Sequence, residues 1–322
     1  MIKFLKYKIK KIQLTFFIFK LVVLFLIVLA IDFAVGNILG YFYFKQESGL
    51  QYRTTYSIEK TKAEVLVFGS SRANHHYSPE IFEKQLDLTF YNVGRDGSSI
   101  LYHDAILKGI LKRYIPKIVI LDINQGEFAQ NVESYDRLSS LLPYYKSHPE
   151  MDSIIELKSK YEKLKLLSSV YPYNSLLFTI LLGNTELNKL RKGDNDGYIP
   201  LQNEWCRPVT LNRNEPNYLI DSLKVKYYQT FINECKHSKI QLFIVFSPIY
   251  LKYKYTDYSV VIGKTIAKKN NILFFDYTND TTFINHANLF SDKEHLNDEG
   301  AKLFSKKIIE QINFTSIIKV SK

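Results

Sequence analysis

A serine and a histidine, each placed where a strand would end, are the side chains best suited to chemistry in this chain. Ser71 closes Gly69-Ser70-Ser71, directly after an apolar run at 64–69. A serine hydroxyl becomes a useful nucleophile only with a base in hydrogen-bond reach and a third group that orients the base. Of the histidines at 75, 76, 103, 148, 237, 286 and 295, His295 stands apart, in Ser291-Asp292-Lys293-Glu294-His295-Leu296-Asn297. Asp292, three residues earlier on a turn, can reach the imidazole Nδ1. That bond holds the tautomer whose Nε2 is free to take the serine proton, and it stabilises the imidazolium that forms. Gly-Ser-Ser and Asp-x-x-His are each ordinary turn sequences when alone. Taken together, Ser71, His295 and Asp292 supply a candidate nucleophile, base and orienting acid.

These residues need a scaffold that brings them to one rim. Short runs rich in Val, Ile, Leu and Phe at 64–69, 88–93, 117–123, 240–247 and 271–277 read as buried strands. Helical candidates at 79–86, 98–114, 218–237 and 258–270 fill the gaps. That alternation argues for a parallel sheet covered on both faces, which binds ligands beyond the carboxyl ends of its strands. The last helix is well signalled: Asn297 can cap it, Asp298 and Glu299 suit its positive end, and Ala301, Phe304, Ile308 and Ile312 recur on one face. The alternation breaks at 125–217, which holds a helical stretch near 151–170 and then a Tyr-, Pro- and Gly-rich tract with Gly193, Gly197, Pro200 and Pro208. We read it as an insertion over the sheet edge, a lid or substrate surface.

The chain has 322 residues, 46% of them hydrophobic, and a net charge of +11. It can bury a real core, which excludes a disordered or collagen-like chain. Six lysines and no acid lie in the first twenty residues, so more than half of the excess charge is a basic tail. That placement argues against a nucleic-acid module. The near-uninterrupted apolar run at 12–31 is long enough to cross a bilayer. Lysines before it place the N-terminus inside, and Tyr41, Phe42, Tyr43 and Phe44 resemble an aromatic belt at the far interface. Asp32 belongs in the outer half, where an acid costs less. A cleaved signal peptide, with Ala34 and Gly36 before the cut, is the rival reading. Either one exports the remainder of the chain. The expected organisation is a cytoplasmic tail at 1–11, a signal-anchor helix at 12–44, a linker at 45–62 and an α/β domain at 63–322.

Together these residues resemble the SGNH or GDSL superfamily of serine esterases and acyltransferases. Its nucleophile block matches Phe68-Gly69-Ser70-Ser71, and its second-block glycine matches Gly94 in Tyr91-Asn92-Val93-Gly94. Its third-block asparagine matches Asn124 in Leu121-Asp122-Ile123-Asn124, and its final Asp-x-x-His matches Asp292 and His295. Ser70, Asp122 and Gln125 depart from the residues usual at their places. The resemblance spans about 62–311 with the insertion outside it. It implies a three-layer α/β/α, flavodoxin-like fold with a parallel five-stranded sheet, and an oxyanion hole from the Ser71 and Gly94 N–H groups and the Asn124 amide. The Gly-Ser-Ser variant looks like the membrane-anchored branch, similar to proteins that acylate exported polysaccharides or teichoic acids, often beside a multi-spanning membrane O-acyltransferase.

These readings converge on a membrane-anchored, extracytoplasmic serine esterase or O-acyltransferase acting on O-acyl groups, acetyl foremost, of a cell-envelope glycan. An acylated glycan or acyl donor is the expected substrate, with no cofactor and no metal. The alternative is a catalytically inactive protein of the same fold that binds a glycan or a membrane acyltransferase. His75 and His76 follow the nucleophile by one helical turn and could line the pocket, although a polar loop is the commoner explanation of such residues. Tyr135, Tyr144, Tyr145, Tyr171, Tyr173, Tyr198 and Trp205 could stack on sugars, although packing is the commoner role of such residues. Cys206 and Cys235 could pair or remain thiols.

Overall fold

The computed structural model describes residues 2–185 and 195–320, with side chains from 11 to 185 and from 195 to 314. Gly193, part of the insertion, lies outside the described residues. Five short apolar runs form one parallel sheet: β1 (Val65–Gly69), β2 (Phe90–Asn92), β3 (Ile118–Asp122), β5 (Gln241–Phe246) and β7 (Leu273–Asp276), in the order β2-β1-β3-β5-β7. Two further strands, β4 (Thr210–Asn212) and β6 (Leu251–Tyr253), pair apart from it. Each expected strand is present, trimmed at its ends, but β7 is half-exposed rather than buried because it is an edge strand with a neighbour on one side only.

Strand side chains alternate between two cores, because successive residues point to opposite faces. Val65, Val67, Ile118, Ile120, Phe243 and Val245 belong to one apolar cluster, and Leu66, Phe68, Val119, Leu121, Leu242 and Ile244 to the other. The first face is covered by α3 (Ser71–His76), α4 (Pro79–Leu86) and α8 (Asp298–Val320). On α8, Ala301, Phe304, Ile308 and Ile312 are buried as their spacing predicts, and Asn297 Oδ1 accepts from the Gly300 N–H at 3.0 Å. The opposite face is covered by α5 (Ile100–Leu111), α6 (Ser222–His237) and α7 (Tyr258–Lys269).

The helix α5 carries a charge into that second core. Both carboxylate oxygens of Asp104 are buried without a hydrogen bond, and Lys108 Nζ stands 3.9 Å away, itself bonded to Glu234 at 2.7 Å. Burial pushes the Asp104 carboxyl up to about 7, with Lys108 pulling against it. An unfolded aspartate titrates near 4. Between about pH 4 and 7 the folded chain therefore keeps a proton the unfolded chain has lost, and stability falls as pH rises through that window. Asp104→Asn should leave the denaturation midpoint at pH 4 unchanged and raise stability at pH 8 by up to about 4 kcal/mol. Equal gains at both pH values in urea titrations would refute this.

Before the sheet, α1 (Ile2–Phe44) is one continuous helix, and its stretch Lys11–Phe44 is long and apolar enough to cross a membrane. The 45–62 stretch is not the linker its polarity predicts. It forms α2 (Gly49–Thr55) and a π-helical turn (Tyr56–Lys60) that bury Arg53, Thr54, Thr55, Ser57 and Ile58. Their polar groups find partners: Thr54 and Thr55 bond the Tyr102 and Tyr144 hydroxyls at 2.9 and 2.6 Å, and Arg113 bonds the Ile58, Thr61 and Ser57 carbonyls. Polar composition signalled solvent, whereas the tertiary fold supplies the matching donors and acceptors.

The expected helix at 151–170 is broken into short α and 3₁₀ pieces: Pro149–Met151, Asp152–Ile155, Glu156–Lys158 and Glu162–Lys165. Ser159 interrupts it in an extended conformation, its hydroxyl bonded to Glu162. The later part of the insertion, 195–205, is a strap over the β2 edge. Asn92 N–H donates to the Asp196 carbonyl at 2.8 Å, Ile199 N–H to the Asn74 carbonyl at 3.1 Å, and Trp205 N–H to the Phe290 carbonyl at 2.7 Å.

Candidate active site

The backbone at Gly69 aims the serine. Its φ of +149° ends β1 in a conformation that L side chains rarely adopt, and a Cβ there would stand 2.6 Å from the Asp122 carbonyl oxygen and 2.7 Å from Ala73 Cβ. Only glycine fits this passage. The chain then enters α3 with Ser71 as its first residue.

The histidine comes from the small loop 291–295, which the Phe290–Leu296 backbone bridge closes just before α8. Asp292 folds that loop on itself: Oδ1 accepts the Glu294 and His295 N–H groups at 2.7 and 2.9 Å, an Asx-turn. The same carboxylate reaches His295 Nδ1 at 2.9 Å through Oδ2, and His295 Nε2 stands 2.8 Å from Ser71 Oγ. The three expected residues thus meet in a linear chain of hydrogen bonds across 224 positions of sequence. Partial burial pushes the Asp292 carboxyl up, but the His295 ring and the two backbone N–H groups outweigh it and bring the group down to about 2. Asp292 is therefore an acceptor at neutral pH, which makes Nδ1 the donor and Nε2 the acceptor from Ser71.

His76 secures this meeting. It is fully buried, its Nε2 accepts the Leu296 N–H at 3.0 Å, and its Nδ1 lies 3.0 Å from Ser247 Oγ. With Nε2 accepting from an N–H, the ring is neutral and Nδ1 donates to Ser247. Burial holds its pKa well below the ordinary value, with His295 and Arg72 adding to the effect. One ring thereby ties the helix of the serine to the residue following the histidine. His75 is buried too, with Nδ1 2.7 Å from the Ile199 carbonyl of the strap and its ring 5.5 Å from that of His295. Both histidines correct the polar-loop reading, because α3 points them inward rather than to solvent.

The expected oxyanion hole is not assembled. The Ser71 N–H donates to Ser70 Oγ at 2.6 Å and the Gly94 N–H to Asn92 Oδ1 at 2.9 Å, so both donors are committed. Asn124 differs: its Oδ1 accepts from Arg72 Nε at 2.8 Å. Arginine can only donate, so the oxygen must face it and the amide NH₂ is left as the donating end. Arg72 also bonds the Ile123 and Ser247 carbonyls at 2.5 and 3.3 Å and lies 4.3 Å from the centre of the Phe246 ring, which locks α3 onto the ends of β3 and β5. Asp122, buried beneath, accepts the Tyr77 hydroxyl at 2.9 Å. Sequence reading missed Arg72 and took a polar loop as the commoner role for His76; closeness to Ser71 put both near the site but did not show what they would bond.

No protein-family model matches this chain, and no curated protein matches it either.

Beyond the ends of β5 and β7 lies a cleft of about 210 Å³, lined by Gln125, Phe246, Tyr253, Asp257, Lys264 and Asp276 among others. It adjoins Arg72 through Phe246 rather than containing the serine. Of the aromatic candidates, Tyr144, Tyr173 and Tyr198 are buried and pack. Cys206 and Cys235 are both free, one exposed and one buried. Among the described residues no group of three or more His, Cys, Asp or Glu could hold a metal ion.

The strap closes one side of the site through Arg53, whose guanidinium bonds Asn74 Oδ1 at 2.5 Å, the Gly94 carbonyl at 3.1 Å and the Gly197 carbonyl. Gly197 has φ +81°, and a Cβ there would meet the Asn92 carbonyl oxygen at 2.0 Å. Gly197→Ala should cost about 1–3 kcal/mol and loosen the strap from β2. Limited proteolysis between 195 and 205 would then accelerate, and an unchanged cleavage rate would count against this account.

Proposed function

We propose that this chain is a membrane-anchored, extracytoplasmic serine esterase or O-acyltransferase of the SGNH or GDSL type. It would move O-acyl groups, acetyl foremost, on a cell-envelope polysaccharide. The observation that carries the proposal is the 2.8 Å contact between Ser71 Oγ and His295 Nε2, with Asp292 on the far side of the ring. The strand order β2-β1-β3-β5-β7 and the burial of both sheet faces support a three-layer, flavodoxin-like reading of the α/β region. The apolar helix α1, preceded by lysines, supports the anchor with its N-terminus inside.

In this reading Ser71 Oγ attacks the donor ester carbonyl as His295 Nε2 takes its proton. The tetrahedral intermediate expels the alcohol, which receives that proton from His295, and the acyl group remains on Ser71. Water or a glycan hydroxyl then attacks the acyl-enzyme, with His295 again taking and returning the proton. Water as acceptor makes an esterase, and a sugar hydroxyl makes a transferase. With the Ser71 and Gly94 N–H groups committed, the Asn124 amide NH₂, whose oxygen faces Arg72, would be the donor to the developing oxyanion.

A fluorophosphonate probe on the full-length protein tests the reading. Covalent labelling mapped to Ser71 supports it, while unlabelled, well-folded protein would reject catalysis. The committed N–H groups of Ser71 and Gly94 favour a second reading, an inactive glycan-binding or accessory partner of a multi-spanning membrane O-acyltransferase. The second outcome would support that one. Mass spectrometry of the native glycan with and without the protein would show whether esters are gained or lost.

A further inference from the structure

The outer half of α1 is not a bare helix. Asp32 accepts the Ser168 hydroxyl at 2.5 Å and the Ser169 N–H at 2.6 Å. Gly36 and Gly40 allow close approach, since a Cβ would meet Ser169 at 2.5 Å and the Tyr173 hydroxyl at 2.8 Å. Higher up, the Asn184 amide donates to the Phe42 carbonyl at 2.9 Å. Asp32, Gly36, Gly40 and Tyr43 therefore form one seam along α1, and the insertion segment 168–184 is packed on it.

Between 164 and 181 the insertion also carries large apolar side chains that are exposed. Leu164, Leu167, Phe178 and Leu181 are 65, 75, 71 and 66% exposed, and Leu177 joins them. In the helix Leu177–Gly183, Ile180 is buried against the core while Leu177, Phe178 and Leu181 share the outer face. Lys160 and Lys163 near the patch are exposed, Lys163 Nζ standing 4.0 Å from Glu156, whereas Glu162 is buried and paired with Lys158 and Lys165.

We propose that this face is a second membrane contact, in which Leu164, Leu167, Leu177, Phe178 and Leu181 sit in the outer leaflet beside α1, with Lys160 and Lys163 among anionic headgroups. The proposal rests on α1 crossing the bilayer, and the level of the patch is set by that crossing. About 20 helical residues span the hydrocarbon. Counted from Lys11 they end near Ile31, and counted from Lys20 they end near Gly40. The insertion touches α1 between Asp32 and Phe42. Counted from Lys20, that whole contact lies at the outer headgroups or below them; counted from Lys11, its Phe42 end would stand about 16 Å beyond the hydrocarbon, so the Lys20 register is the one that seats the patch. A cluster of large apolar side chains with basic neighbours suits that level and is costly in water. The carboxylate of Asp32 is then capped by protein donors where lipid offers none.

The test uses full-length protein with Cys206→Ser, Cys235 being buried, reconstituted in vesicles of phosphatidylcholine and phosphatidylglycerol with a nitroxide high on the acyl chain. A bimane label is placed at Leu24→Cys, Leu167→Cys, Phe178→Cys or Lys268→Cys. We expect Leu167→Cys and Phe178→Cys to show at least half the quenching of Leu24→Cys, and Lys268→Cys to show none. Quenching at Leu24→Cys without quenching at 167 and 178 overturns the proposal and leaves the anchor standing. No quenching at Leu24→Cys overturns the anchor itself. If 167 and 178 are shielded only in native membranes and not in these protein-free bilayers, the face belongs to a protein partner and the lipid assignment is wrong.

Discussion

Ser71→Ala and His295→Ala should each abolish fluorophosphonate labelling and reduce ester turnover by about 10⁶-fold, the scale seen when nucleophile or base is removed from a serine enzyme. In the proposed mechanism the hydroxyl and the ring act as one proton-transfer unit, so the double variant should be little worse than either single one. Ser71 is the first residue of α3 and partly buried, and alanine removes only its oxygen, so the fold should survive. Turnover of a simple acetyl ester is the measurement. Activity retained within tenfold in a folded Ser71→Ala protein would remove the serine from the mechanism.

Asp292→Asn should cost about 10⁴-fold, through the tautomer rather than through lost contact. Asparagine keeps the shape, but its amide NH₂ can donate to Nδ1. The ring proton then moves to Nε2, which can no longer accept from Ser71. The Asx-turn needs only the side-chain oxygen toward the Glu294 and His295 N–H groups, so the loop should keep its form. The signature is a large loss in rate with little change in melting temperature. Acid should act on the same group: with the carboxyl down to about 2, its stabilising bonds are complete above about pH 4 and fade as pH falls toward 2. An Asp292→Asn rate within threefold of the parent would make the carboxylate a loop-forming residue only.

Several features were legible in residue order because they are local. The five apolar runs became the five sheet strands; β1, β2, β3 and β5 are buried as such runs require, whereas β7 at the sheet edge is apolar but half-exposed. Asp292 and His295 are three residues apart on one turn, so their bond follows from spacing. Asn297 and the apolar spacing of α8 are likewise properties of a single helix. Arg72 was less legible because nothing in an arginine beside a serine shows that two strand ends will offer it carbonyls.

Residue order alone determined the alternation of strands and helices, the apolar N-terminal helix and the candidate residues for acyl chemistry, because periodicity and chain-neighbour contacts depend on nothing farther away. Tertiary structure decided which groups are free. It brought Ser71 to His295, turned His75 and His76 inward and folded 45–62 into the core. It also tied the Ser71 and Gly94 N–H groups to Ser70 and Asn92, and laid the insertion along α1. Each of these outcomes depends on where a distant segment supplies a donor, an acceptor or an apolar wall, and that is set by packing of the whole chain.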